Sequence, residues 1–176
     1  MSESRIWILG AADPEMEKIK EILDEFDEDI GFAAVYDDKI KKTRRTLPHE
    51  AYKATAVIDE DGNDVLVSKN TKIYFVECRV KDLLDRKYEI VDHHNPGDAG
   101  YGKPSEEFLG ASSIGQVIKI LAKLHYDEPI GYELKDGQWV LKTKNLTLPL
   151  PKNVVLAAAS DHCLGAAYKN KCPGVH

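Results

Sequence analysis

The stretch "RIWILGAADPEMEKIKEILDEF", residues 5–26, constrains the fold more than any other. A short apolar run stops at Gly10, which reads as a buried strand. A helical period follows, with Ile19, Ile22, Leu23 and Phe26 on one face. Asp13 is a good N-cap, and Pro14 suits the first helical position. Strand, loop and amphipathic helix in that order open a layered α/β fold.

The rest of the chain continues the theme. "GFAAVYD", "KIYFVEC" and "YEIVD" read as strands, the last two ending in Glu77-Cys78 and Asp92. "SSIGQVIKILAKL" predicts an amphipathic helix opened by Ser112 or Ser113. "TAVIDEDGNDVLV" and "IGYELKDGQWVLKT" predict hairpins, turning at Asp61-Gly62-Asn63 and Asp136-Gly137. "PKNVVLAAASDHCLGAAYKN" reads as a buried helix ending at or beyond Asp161-His162-Cys163. The basic segment from Lys39 to Arg45 reads as a solvated loop, with a phosphate-rich ligand or a nucleic-acid strand as the alternative. The expectation is one α/β domain over 1–176: a mostly parallel sheet flanked by helices, with two β-hairpin insertions.

Composition bounds the function. A chain of 176 residues, 43% hydrophobic and 31% charged, can build a core and stay soluble. No apolar run reaches membrane-span length, and the start lacks the features of a signal peptide. Three cysteines give no even disulfide framework, so a reducing cytoplasmic setting is expected. A net charge of −6 and a pI near 5.5 disfavour a broad grip on nucleic acid.

Three strands lead into acids: Ile8-Leu9 toward Asp13 and Glu15, Phe75-Val76 into Glu77, and Ile90-Val91 into Asp92. In an open parallel sheet, functional groups collect outside the carboxyl ends of the strands. His93 and His94 follow at once in "YEIVDHHNPGDAGYGKP". Carboxylates and imidazoles crowded together call for a neutralising cation, and this donor set suits Mn²⁺, Mg²⁺, Zn²⁺ or Fe. The plainer reading makes Asp92 a turn cap and the histidines exposed loop residues.

"IVDHHNPGD" resembles the motif that names the DHH phosphoesterase superfamily, which includes RecJ-type nucleases, nucleotide phosphodiesterases and family II pyrophosphatases. "GASSIGQVIKIL" is similar to the Ser-Ser-led helix after that loop. "GAADPE", "YFVEC" and "LAAASDHCLGAAY" stand where the first, second and fourth motifs of the family would lie. The resemblance implies a DHH-like fold and a metal-dependent phosphohydrolase. Mn²⁺ or Mg²⁺ is the implied cofactor, and a small phosphate ester or nucleotide the implied substrate. Asp13, Glu15, Glu77, His93 and Asp161 would be metal ligands, with Glu77 bridging. His94 would face the substrate phosphate, and Asp92 would orient the histidines. Lys103 would add charge to the phosphate site, with Ser112 and Ser113 at a helix start beside it.

The chain departs from the family pattern in three ways. "WILGAA" lacks the histidine that opens the first motif, Glu15 and Glu77 stand where aspartate is usual, and no separate C-terminal substrate domain is expected. These departures keep open a non-catalytic nucleotide- or phosphate-binding protein with a degenerate metal site. Single-stranded nucleic acid is a less favoured partner, and no membrane is expected. His162, Cys163, Cys172 and His176 offer a separate zinc set, but adjacent His162-Cys163 ligands cannot easily both face one ion from a helix. Gly97, Gly100 and Gly102 before Lys103 suit either a phosphate-wrapping loop or a plain flexible one.

Overall fold

The computed structural model describes residues 2–162 and 172–175. The chain divides into two compact units, Met1–Val91 and Asp92–His176. The first holds β1 (Arg5–Leu9), α1 (Pro14–Glu25), β2 (Ile30–Asp37), β3 (Lys42–Arg45), β4 (Ala56–Ile58), β5 (Lys72–Val76) and β6 (Tyr88–Val91). The second holds α2 (Phe108–Ala111), α3 (Ser113–His125), β7 (Pro129–Lys135), β8 (Gln138–Thr143), β9 (Thr147–Pro149) and α4 (Lys152–His162). The architecture is α/β, with a mixed, mostly parallel sheet and a separate antiparallel three-stranded sheet.

The main sheet runs β3-β2-β1-β5-β6, with β4 also on β2. β1 pairs in parallel with both β2 and β5, and β5 pairs in parallel with β6. Ile8 lies opposite Gly31 on one side and Phe75 on the other. The chain leaves β1 toward β2 and later returns to β1's other edge with β5. That reversal makes the carboxyl ends of β1 and β5 a topological switch point.

Residue alternation explains why β1 is central. A strand's side chains point to opposite faces in turn, and Ile6, Trp7, Ile8 and Leu9 are all buried, so both faces are covered. Ile6 and Ile8 join Ala33, Val57, Ile73 and Phe75 in one apolar cluster. Trp7 stacks on Tyr74 with ring centroids 4.2 Å apart. The Trp7 indole N–H donates to Glu28 Oε2 at 3.2 Å, and Arg5 grips the same carboxylate through Nε and Nη2. The buried Glu28 charge is therefore paired and hydrogen-bonded.

The helix after β1 forms where the sequence places it. Asp13 is its N-cap, Oδ1 accepting from the Met16 amide at 2.7 Å, and Pro14 opens the first turn. Met16, Ile19 and Leu23 form the buried face.

Two expectations need correction. The basic segment is not simply a loop: Lys42–Arg45 is β3, antiparallel to β2. Arg44 is neutralised within the fold, pairing with Asp37 at 2.7 Å and with Glu50 at 2.9 Å. The first predicted hairpin forms its turn, with the Asp59 carboxylate accepting from the amides of Asp61 and Asn63. Among the described residues its second arm makes one bridge, Asp64 to Ile58, together with the Val65 amide bonded to the Val57 carbonyl, on the edge of β4 away from β2. The second hairpin forms as expected at Asp136-Gly137, but β9 extends it into a three-stranded sheet of its own.

Gly10 sets the tightest steric constraint in the first unit. A Cβ there would strike the backbone carbonyl oxygen of Glu77 and come within 3.1 Å of its carbonyl carbon. Glu77 itself holds a left-handed φ of 52°, which costs a non-glycine residue energy. The backbone has no flexible side chain to yield at this contact. Gly10→Ala is expected to destabilise the chain by about 1–3 kcal/mol, the usual scale of overpacking. Urea unfolding of the two proteins measures it, with the midpoint lowered in the variant.

Candidate metal centre

The site is built from the end of β6 onward. The chain passes from buried Val91 to Asp92, which is wholly buried. Asp92 Oδ1 accepts from the His93 amide at 2.8 Å and the His94 amide at 3.1 Å, and contacts His94 Nδ1 at 2.8 Å. A carboxylate can only accept, so the His94 ring donates its Nδ1–H. In a neutral ring the lone pair then lies on Nε2, which points the reactive nitrogen away from Asp92.

The loop after the histidines is held by the same residue's backbone. The Asp92 carbonyl accepts from the Gly100 amide at 3.3 Å and from Gln116 Nε2 at 2.9 Å. Gln116 Nε2 also donates to the Ala111 carbonyl at 2.9 Å, tying the loop to the junction of α2 and α3. Gly100 passes so close that a Cβ would strike the Ala111 carbonyl and come within 2.6 Å of His93 Cβ. Only glycine fits between the first histidine and the helix start.

The far wall comes from the last turn of α4. His93 Nε2 lies 2.6 Å from Asp161 Oδ2. His93 Nδ1 lies 3.3 Å from His162 Nδ1, and His162 Nε2 lies 3.2 Å from the Lys103 carbonyl. The His93 and His94 rings are 4.3 Å apart between centroids. His93, His94 and Asp161 each offer a ligand atom, and these atoms lie within 4.8 Å of one another.

A proton count shows what this chain of contacts needs. The Lys103 carbonyl and the Asp161 carboxylate are both acceptors, and the two rings between them carry four nitrogens. Filling all three contacts with hydrogen bonds takes three ring protons, whereas two neutral imidazoles carry two. Burial pushes the His162 imidazole below its ordinary value of 6.5, with His93 acting in the same direction. The third proton is therefore disfavoured on His162 at neutral pH. A cation beside His93 and Asp161 removes the shortage, and imidazole nitrogen with carboxylate oxygen is a donor set that divalent ions accept.

The other predicted residues have definite places. Asp13, Glu15 and Glu77 all lie in the first unit, near the carboxyl ends of β1 and β5, and Glu15 and Glu77 are buried. Arg45 is there too, donating from Nε to the Gly10 carbonyl at 2.8 Å with its guanidinium 4.3 Å from the Phe32 ring centroid. Burial pushes Arg45 below its usual value, opposed by Glu17 and Asp13.

Ser112 caps α3: Oγ accepts from the Gly115 amide at 3.1 Å and donates to the Leu109 carbonyl at 3.0 Å. Ser112 and Ser113 are fully buried, and the Ser112 hydroxyl is committed to the helix start rather than presented to a phosphate. Lys103 Nζ lies 4.0 Å from Glu107, while its backbone serves His162. Cys163 and His176 of the possible zinc set lie outside the described residues. His162, considered there only as a zinc ligand, instead contacts His93 directly. Gln116 had no signal in the sequence, since an amide on a helix face is ordinary.

Comparison with family models, with curated proteins and with solved structures finds no match. Among the described residues no helix is long and apolar enough to cross a membrane.

Two measurements follow from this geometry. Asp92→Asn keeps the shape but replaces a charged acceptor by a neutral one. It is expected to cost about 1–3 kcal/mol, the scale for a buried charged hydrogen bond, and to mix the two His94 tautomers, seen in the ring ¹⁵N shifts. His162 is expected to titrate below 6.5. Its folded value lies below its unfolded one, so the folded state favours the neutral ring. Its contribution is favourable above the unfolded value and is lost as pH falls from there through the folded one. A ring-proton NMR titration gives the midpoint, and His162→Gln should lessen the loss of stability across that window.

Proposed function

We propose that the chain is a metal-dependent phosphohydrolase of DHH-like type, acting on a small phosphate ester, nucleotide or phosphoanhydride. The observation that carries this reading is the convergence of His93, His94 and Asp161, with His94 anchored by the buried Asp92. Scattered loop histidines have no reason to meet an acid 68 residues further along the chain, from His93 to Asp161, at 2.6 Å.

His93 and Asp161 would hold a divalent ion, Mn²⁺ or Mg²⁺ being favoured by the phosphate chemistry. When bound, that ion supplies Lewis-acid polarisation of the phosphoryl group and a more acidic water. The chain's own residues do the rest. Asp92 fixes the His94 ring, whose protonated form would turn an Nε2–H donor toward a substrate oxygen. Gly100 lets the loop close against the helix start without displacing His93. Lys103 stands in the same loop as a positive charge for the phosphate.

The test uses the full-length chain. Titration calorimetry with Mn²⁺ should show binding, and His93→Ala and Asp161→Asn should each weaken it at least tenfold. The loaded protein should cleave bis(p-nitrophenyl) phosphate or pyrophosphate, and His94→Ala should lower turnover while keeping the ion. A protein that binds no Mn²⁺ and cleaves neither substrate is no phosphohydrolase. Nucleotide binding by such a protein would support the non-catalytic alternative, which the absence of a histidine in "WILGAA" favours.

A further inference from the structure

We propose that His162 is a positioning residue of the metal centre: anchored by the Lys103 carbonyl, it accepts the His93 Nδ1–H and so turns the His93 Nε2 lone pair toward the ion. The inference rests on the phosphohydrolase reading and adds to it a residue outside the set that the DHH resemblance implies. All the residues involved lie in the second unit.

The direction of each hydrogen bond follows from its far end. A backbone carbonyl only accepts, so His162 Nε2, 3.2 Å from the Lys103 oxygen, carries a proton. The opposite tautomer would set a ring lone pair against the lone pairs of the carbonyl. A neutral ring has one N–H, so His162 Nδ1 is then an acceptor. It meets His93 Nδ1 at 3.3 Å, and a hydrogen bond there takes its proton from His93. The two ring planes are inclined at 52°, so the imidazoles meet at these nitrogens rather than as a stack. With Nδ1 protonated, a neutral His93 carries its lone pair on Nε2, which lies 2.6 Å from Asp161 Oδ2. Two of the three contacts thus keep a ring proton. The third, between His93 and Asp161, is the one at which an ion replaces it.

An imidazole ligand needs this kind of partner. An acceptor on its far nitrogen fixes the tautomer, holds the ring and raises the basicity of the ligating nitrogen. His94 has such an acceptor in Asp92, and His93 has one in His162. His162 is not itself a ligand in this arrangement, since both of its nitrogens are engaged. The Lys103 carbonyl that orients it belongs to the loop tied beside His93 by the Gly100 amide and the Asp92 carbonyl, 3.3 Å apart.

Two measurements on the full chain test this. Zn²⁺ is a diamagnetic ion that takes the same donors. In the Zn²⁺-loaded protein at about pH 8, where ordinary imidazoles are neutral, long-range ¹H–¹⁵N spectra should show His162 protonated at Nε2 and bare at Nδ1, and His93 protonated at Nδ1. Titration calorimetry with Mn²⁺ then compares two variants. His162→Leu should bind at least tenfold more weakly than the unaltered chain, the usual cost of losing such a partner. His162→Asn places an amide oxygen where Nδ1 stood, still accepts from His93, and should recover most of that loss. If His162→Leu does not fold, the spectrum of the unaltered protein decides. The proposal is overturned if His162 carries its proton on Nδ1 in the loaded chain, if folded His162→Leu binds Mn²⁺ as tightly as the unaltered chain, or if folded His162→Asn binds no better than His162→Leu. Each of those results leaves the phosphohydrolase reading standing, whereas an unaltered chain that binds neither ion removes that reading and this proposal with it.

Discussion

A single buried carboxylate organises the second unit. Asp92 stands fully buried where β6 ends, and its Oδ1 receives two backbone amides and one imidazole. An ionised carboxylate is tolerated in such a place only when several donors reach it. Those donors fix the backbone of His93 and His94 and one of the two rings. The Asp92 carbonyl meanwhile fixes the following loop through Gly100 and Gln116. Every part of the candidate centre on this side is positioned from one residue.

The first unit is organised by close backbone approach rather than by charge. β1 is paired on both edges and buried on both faces, and at its end Gly10 leaves room for the Glu77 carbonyl. Glu77 takes a left-handed conformation at the carboxyl end of β5. Strained backbone at a sheet's switch point is a frequent mark of a functional position. The Gly10 contact and the Glu77 strain are thus two sides of the same local packing.

What the sequence revealed follows from how local each signal is. α1 was legible because Asp13, Pro14 and the Ile19–Leu23 face all agree, and cap, first turn and stripe need no tertiary information. The second hairpin was legible for the same reason, since Asp136-Gly137 forces a tight turn. β3 was not, because "KTRR" has no apolar alternation and becomes a strand through its ladder to β2, where Arg44 also pairs with Asp37 and Glu50. The arm after Gly62 read as a strand, yet beyond the Asp64–Ile58 bridge and the Val65–Val57 hydrogen bond no strand is formed there among the described residues. At the site, Asp92-His93-His94 was legible as chemistry, while the approach of Asp161 and His162 to His93 depends on the packing of α4 and carries no local signature.

The His162–His93–Asp161 chain shows why contact alone does not define a site. Adjacent residues on a helix are about 100° apart around its axis, so Asp161 and His162 reach His93 from two sides, one at each ring nitrogen. Satisfying all three contacts as hydrogen bonds would take one positive charge more than two neutral rings supply. A proton or a metal ion can supply it, and the two differ in their dependence on pH. Burial disfavours the proton on His162, whereas an ion bound by His93 and Asp161 needs His93 unprotonated at the ligating nitrogen. A divalent cation held by His93 and Asp161 would take the place of that proton, and acidification would work against the cation by restoring the proton.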